Sequence, residues 1–225
     1  MSKASRSASR PYHHGNLAAA LIDAAVALIG ETQDWTFSLR EVARRAGVSH
    51  NAPYKHFPEK RDLLAAVAAR GFEALALSTL GLLERVSDPR ARLIACGQAF
   101  VAHAIANPAL YRLMFSAALT SPESGRPAIE KAAAAKARAI VDATLAESVR
   151  AGALPPSLSN PAQSAAASLA MWSMMHGLAS LAIDDFVGPD DKVEALVEPF
   201  LSALLDGLAS HPPALPVGTW TAPRP

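Results

Sequence analysis

Residues 37–64 constrain this chain more than any other stretch, because they spell two short helices joined by a tight turn and the start of a third. Ser38 followed by Glu41 forms a capping box, and Phe37 before the cap can staple onto Val42 one turn later, so a helix starting at Leu39 is signalled in two independent ways. Leu39, Val42, Ala43 and Ala46 then share one face at helical spacing, while Arg40, Glu41, Arg44 and Arg45 take the other. Gly47 ends this helix, since glycine accepts the left-handed conformation at a C-terminus with little penalty, and Val48 turns back toward the core. Ser49 is expected to cap a second helix carrying His50, Asn51, Tyr54, Lys55 and His56, a polar density that suits a nucleic-acid groove better than a core. Pro53 falls within or just past the first turn of that helix, where few backbone donors have intrahelical partners, so its expected cost is small.

The chemistry of the second helix suits DNA. Asparagine offers a bidentate pair to adenine, histidine and serine bond base edges, and lysine, tyrosine and histidine meet phosphate oxygens. Lys60 and Arg61 follow Pro58 and Glu59 at the start of the third helix, where free backbone N–H groups and the positive dipole end favour a phosphate. The run Ala46, Gly47, Val48, Ser49, then Tyr54, His56, Phe57, Lys60 and Leu63 resembles, in order and spacing, the TetR family of bacterial transcriptional regulators. That resemblance implies that Arg40 and Ser49, His50, Asn51 and Ala52 lie at the major groove, while Tyr54, His56 and Lys60 grip the backbone. The chain's partner is then double-stranded operator DNA.

Charge agrees with this division. The net charge of +1 splits into +4 over residues 1–61, where nine Lys and Arg face five Asp and Glu, and −3 over residues 62–225, where twelve face fifteen. The basic end coincides with the helix-turn-helix, the electrostatic footprint of a phosphate-binding module. With 225 residues and 51% hydrophobic content, the chain can build one substantial core or two small ones. A lone cysteine, Cys96, excludes an intramolecular disulfide and reads as a small core hydrophobe. The N-terminus has no apolar signal segment and no apolar run is expected to span a membrane, which points to the cytoplasm. His13 and His14 are adjacent and lack acidic or cysteine partners, so neither a metal site nor a cofactor is expected.

Strand signals are absent, and the fold class is expected to be all-α: an N-terminal three-helix helix-turn-helix DNA-binding domain over residues 12–62, then a larger helical ligand-binding and dimerisation domain over residues 63–210. Residues 1–11, with Lys3, Arg6 and Arg10, and residues 211–225, proline-rich with Trp220, read as disordered tails, the first either a solvated tail or an arm that reaches DNA. Asn16 is expected to cap a first helix with Leu17, Leu21, Ala24, Ala25 and Leu28 inside, ending near Gly30. A long helix should run from about Glu59 to the Leu80 region. Asp88-Pro89, Asn107-Pro108 and Asn160-Pro161 each place a capping side chain before a proline at the first helical position, marking three further helices. An alanine-rich helix is expected over residues 126–151, and two close the fold, with a kink or restart at Pro199.

A regulator needs a second input. Trp172 and His176 share a helix face, and Gly177 after them permits a close helix approach; this Trp-x-x-x-His-Gly arrangement resembles the C-terminal domain type named for those residues in a subset of TetR-like regulators. Phe100, His103, Tyr111, Met114 and Phe115 can converge with Met171, Trp172, Met175 and His176 on one largely apolar cavity for a small-molecule effector, or can simply fill a core. Two-fold operators call for a homodimer, and the apolar surplus of the last two helices, including Leu178, Leu181, Val193, Val197, Phe200, Leu201 and Leu205, suits its interface. The expected function is a transcriptional regulator, a repressor released by its effector. The rivals are an architectural DNA-binding protein without effector and a helical-bundle enzyme, and no nucleophile elbow, His-Glu-x-x-His pattern or phosphate loop supports the latter.

Overall fold

The computed structural model describes residues 17–120, 125–188 and 190–211. Asn16 and the arm before it, and the tail with Trp220, lie outside these. Among the described residues every regular element is helical: α1 (Leu17–Thr32), α2 (Leu39–Arg45), α3 (Lys60–Leu83), α4 (Pro89–Ala106), α5 (Pro108–Met114), α6 (Ala128–Arg150), α7 (Pro161–Ile183) and α8 (Asp190–Ser210), with short 3-10 turns at Pro53–Lys55, Ala117–Leu119 and Pro156–Ser159. α1, α2 and the Pro53 turn form a small head against the start of α3. α3 continues into the body, where it packs beside α4, α5 and α6, and α4 packs in turn against α7 and α8. One continuous apolar cluster runs from Leu17 to Leu208, so head and body share a core through α3.

Local chemistry sets most boundaries. Asp88 accepts from Ala91 N at 2.7 Å, and Asn160 accepts from Ala162 N at 3.0 Å, as capping side chains before prolines should. Asn107 behaves differently. It makes no side-chain cap on α5, and its Nδ2 donates to the His103 carbonyl at 3.1 Å, so it closes the end of α4 instead. α1 passes Gly30 and ends at Thr32, with Gln33 taking the left-handed conformation at φ 58°. α8 runs through Pro199 without a restart. The proline removes one bond to the Ala195 carbonyl, and both residues are exposed, where water can take that carbonyl.

The expected second helix of the head is the clearest departure. Residues 49–56 form successive turns, with Ala52 N–H donating to Ser49 O at 2.9 Å and His56 N–H to Pro53 O at 2.9 Å, and only Pro53–Lys55 reach regular 3-10 geometry. Pro53 has no N–H to give Ser49, so the first α-type bond cannot form there, and Ser49 does not act as the cap.

α3 and α7 are each long and apolar enough, by length and composition alone, to cross a membrane, which corrects the expectation from sequence. Their apolar faces are spent inside the fold: Leu63, Leu64, Val67, Phe72 and Leu75 on α3, and Ala167, Met171, Met175, Leu178 and Ala179 on α7, are buried. Much of the apolar surplus assigned to dimerisation is likewise internal. Leu178, Val193, Val197, Leu201 and Leu205 belong to the protomer's own core, leaving Leu181 (46% exposed) and Phe200 (47% exposed) outward.

Candidate nucleic-acid interface and effector site

The head presents its polar residues on a braced scaffold. Ser38 accepts from Glu41 N at 3.2 Å and starts α2. At the other end Gly47, at φ 69°, donates to Arg44 O at 3.2 Å and Val48 N–H to Ala43 O at 3.0 Å, the paired bonds of a Schellman turn. Pro53 and Phe57 are buried and anchor the following turns, so Ser49, His50, Asn51, Tyr54, Lys55 and His56 are held outward, with Ala52 half-buried between them. Arg40 is exposed on α2.

The cations divide by partner. Arg45 forks onto Glu31 at the end of α1, and that hydrogen-bonded pair pulls the Glu31 carboxyl below its usual range. Arg45 thus braces α2 against α1. Lys60 is half-buried, its Nζ 5.3 Å from the centre of the Phe37 ring, and burial lowers its pKa from the ordinary lysine value against the opposing pull of Asp34. Asp34 is itself fixed, accepting from Thr36 N and Thr36 Oγ1 at 2.9 Å each. Asp62 Oδ2 accepts from Glu59 N at 2.9 Å, so the start of α3 carries its own carboxylates beside Lys60. Sequence alone did not show this competition for the helix N-terminus.

In the body, five of the nine residues named for the effector meet. Phe100 on α4, Tyr111 on α5, Phe115 just after α5, and Trp172 and His176 on α7 pack as a ring cluster. The Tyr111 hydroxyl bonds His176 Nδ1. Burial pushes the Tyr111 hydroxyl up to about 12, with Ser180 acting weakly the other way, and burial lowers the pKa of His176. Both groups are therefore neutral near pH 7. A phenol is the better donor and an imidazole nitrogen the better acceptor, which assigns His176 the tautomer protonated on Nε2.

The remaining four lie apart from these ring contacts. Met114 and Met175 pack where helices come closest: a Cβ at Gly71 would stand 2.6 Å from Met114 Sδ, and one at Gly97 would stand 3.2 Å from Met175 Sδ. Met171 is fully buried. His103 Nε2 is buried with no hydrogen-bond partner, and burial lowers its pKa. Gly177 faces open space, so Gly71 and Gly97 are the close approaches that the sequence left unmarked. Arg138 was also missed. Its guanidinium lies 5.1 Å from the Trp172 ring, with its Nε 3.7 Å from Asp142 Oδ2, a pair whose only trace in the sequence is its i, i+4 spacing. A separate cleft of about 130 Å³ lies between the end of α1 and the α4–α5 junction, lined by Val26, Ile29, Gly30, Gln33 and residues 106–110.

Comparison with known proteins decides the lineage. Residues 21–67 match the model for bacterial regulatory proteins of the tetR family, and residues 93–204 match the tetracyclin repressor-like C-terminal domain. The chain belongs to the TetR family. A protein of unknown function from Rhodococcus sp. RHA1 shares its fold at TM-score 0.74 and 30% identity, over 89% of this chain and 100% of that one. The TetR family transcriptional regulator PfmR from Thermus thermophilus aligns at TM-score 0.60 and 21% identity, over 84% and 98%. The regulator FadR from Bacillus subtilis, in complex with stearoyl-CoA, aligns at TM-score 0.64 and 16% identity, over 84% and 98%. No curated protein matches the chain. As a TetR-family transcriptional regulator the chain is a DNA-binding protein and not an enzyme.

Proposed function

We propose that this TetR-family regulator is a cytoplasmic repressor that grips a two-fold operator as a homodimer and lets go when a small molecule enters the body. The observation that carries the reading is α3, one unbroken helix whose first turn borders the exposed DNA-facing turn and whose middle packs on the ring cluster. Residues 12–62 read DNA, and residues 63–210 bind effector and dimerise. Arg40, Ser49, His50, Asn51 and Ala52 face base edges, while Tyr54, Lys55, His56 and Lys60 hold phosphates. Phe100, Tyr111, Phe115, Trp172 and His176 form the effector site's wall, with His103, Met114, Met171 and Met175 behind it. FadR from Bacillus subtilis carries stearoyl-CoA on the same fold, which supports a small-molecule input. Leu181 and Phe200, exposed on α7 and α8, supply the apolar core of the dimer interface.

A gel shift with a site selected from random DNA tests this. Specific binding that weakens steeply with salt is expected. Tyr54→Ala or Lys60→Ala should weaken all sequences alike, whereas Asn51→Ala should change preference at one base pair, by about 1–3 kcal/mol. An unaltered sequence profile for Asn51→Ala would remove it from the readers.

A further inference from the structure

The Phe115 ring has five other rings around it. Its centroid lies 4.3 Å from His176, 5.0 Å from Tyr111, 5.3 Å from Phe72, 6.1 Å from Trp172 and 6.2 Å from Phe100. These are ordinary edge-on or tilted aromatic contacts, so the slot has the size and quadrupole pattern of one six-membered ring. Phe115 differs from the other rings in its backbone. Phe72, Phe100, Tyr111, Trp172 and His176 stand within helices, whereas Phe115 is the first residue past α5; like Trp172 and His176 it is half-buried.

A clamp holds it there. Arg126 donates to the carbonyls on either side, Met114 O at 3.1 Å and Ser116 O at 2.8 Å. Glu130, almost fully buried, accepts from the same guanidinium at 2.5 Å and orients it. Glu130 Oε2 has no hydrogen-bond partner, so the clamp is polar, internal and incompletely satisfied. Such an arrangement fixes the ring through the two main-chain carbonyls that flank it.

We infer that Phe115 is a built-in plug and that the effector is a single uncharged aromatic ring bearing a hydroxyl group, which takes the ring's place in the slot. This rests on the effector-release reading above. The hydroxyl follows from Tyr111 Oη and His176, the polar groups beside the slot and already paired with each other, able to re-pair with one small donor and acceptor. The absence of charge follows from the cations nearby. Arg112 pairs with Asp184 at 2.6 Å, Arg126 with Glu130, and Arg138 with Asp142. An anionic ligand would have to break one of these pairs, and a neutral phenol breaks none. Displacing Phe115 hands its edge contact on Phe72 to a ring the chain no longer carries, so α3, the helix that begins beside the DNA-facing turn, loses its tie to the end of α5.

The test uses the full-length protein with Trp35 and Trp220 changed to Phe, so that Trp172 reports alone, and measures ligand binding and operator release separately. Phenol, toluene, cyclohexanol of nearly the same size as phenol, and octanoyl-CoA are titrated. Phenol should quench Trp172 and release operator DNA at roughly millimolar concentration, with cyclohexanol at least about tenfold weaker, because only an aromatic ring matches the slot. Phe115→Leu and Arg126→Gln, which thin the plug and loosen its clamp, should each tighten phenol several-fold, and Tyr111→Phe should erase the preference for phenol over toluene. Phenol affinity unchanged in both Phe115→Leu and Arg126→Gln overturns the plug. Release by octanoyl-CoA with phenol inert overturns the ligand class while effector release stands. Phenol binding in the slot with operator affinity unchanged overturns release itself.

Discussion

Gly97→Ala should destabilise this protein although alanine is the better helix former. Gly97 lies inside α4 against α8, and a Cβ there would meet Leu201 Cδ1 at 2.2 Å, Met175 Sδ at 3.2 Å and Val197 Cγ1 at 3.3 Å. Leu201 is fully buried and Val197 nearly so, which leaves no solvent into which either can turn. Overpacking of this kind costs about 1–3 kcal/mol, and three buried neighbours crowded at once, one of them at 2.2 Å, put this site in the upper half of that range, about 2–3 kcal/mol. Against it stands a helix-propensity gain of about 1 kcal/mol. The net expectation is a loss of about 1–2 kcal/mol. Gly81→Ala is the matched control: it sits in α3 with nothing within 4 Å of its would-be Cβ, so only the propensity gain of up to about 1 kcal/mol applies. The two identical substitutions should therefore differ by about 2–3 kcal/mol with opposite signs. Urea unfolding followed by circular dichroism, at fixed protomer concentration because a dimer's stability depends on it, measures both. If Gly97→Ala matched or exceeded wild type, the α4–α8 approach would be looser than the structure shows, and the packing argument for α8 would fall.

Asp88→Ala and Asn160→Ala should each cost about 1 kcal/mol by removing a real helix cap, whereas Asn107→Ala should cost less because its side chain does not cap α5; thermal melts rank the three. Cys96 is buried and its thiol is pushed up to about 11, so alkylation at pH 8 should proceed at the rate of unfolding, and prompt labelling of native protein would contradict its place in the core. Burial lowers the pKa of both His103 and His176, so the unfolded chain binds more protons than the folded one once pH falls below the ordinary histidine value of 6.5. Stability should thus rise with pH across that window, being complete above it and lost on acidification. His103→Met should flatten part of this slope while changing little at pH 8, as read by urea midpoints at pH 5 and pH 8.

Local turn chemistry was legible in the sequence, and tertiary geometry was not. Ser38, Gly47, Asp88 and Asn160 act through backbone groups within a few residues of themselves, and each does in the structure what its type and spacing imply. Asn107 and Pro53 follow local rules too, but competing ones: the amide found the His103 carbonyl behind it, and the proline's missing N–H outweighed a helix-like polar pattern. Helix phase put Trp172 and His176 on one face, while the convergence of Phe100, Tyr111 and Phe115 on them was expected mainly from the resemblance to the family. Which ring stood in the middle could not be named, because Phe115 is central only through contacts with α3, α4, α5 and α7 at once. Gly71 and Gly97 were invisible for the same reason. A glycine in a helix marks a close approach only when the neighbouring helix is known, and Gly177, which looked the part, faces open space.

The shared core limits how the regulator can switch. Head and body do not hang on a linker; their apolar residues form one cluster, with α3 running through both and α5 also packing against α1. A free head rotation would tear that cluster open, so release has to come from a small change in how α3 is supported. The available free energy can be bounded. An edge-on aromatic pair contributes about 0.5–1.5 kcal/mol beyond its buried area, and a dimer loses the Phe72–Phe115 pair twice, about 1–3 kcal/mol. A hundredfold loss of operator affinity requires about 2.7 kcal/mol, which lies inside that range. Release much beyond a hundredfold would need the adjoining contact of Met114 on Gly71 to move as well. Phe72→Leu, which removes the edge contact but keeps an apolar side chain, should then cut release at saturating effector to about tenfold or less, with ligand affinity lowered only by the loss of one of the slot's five ring contacts. Undiminished release in that variant would mean that the coupling runs through the helix approach at Gly71 and not through the rings.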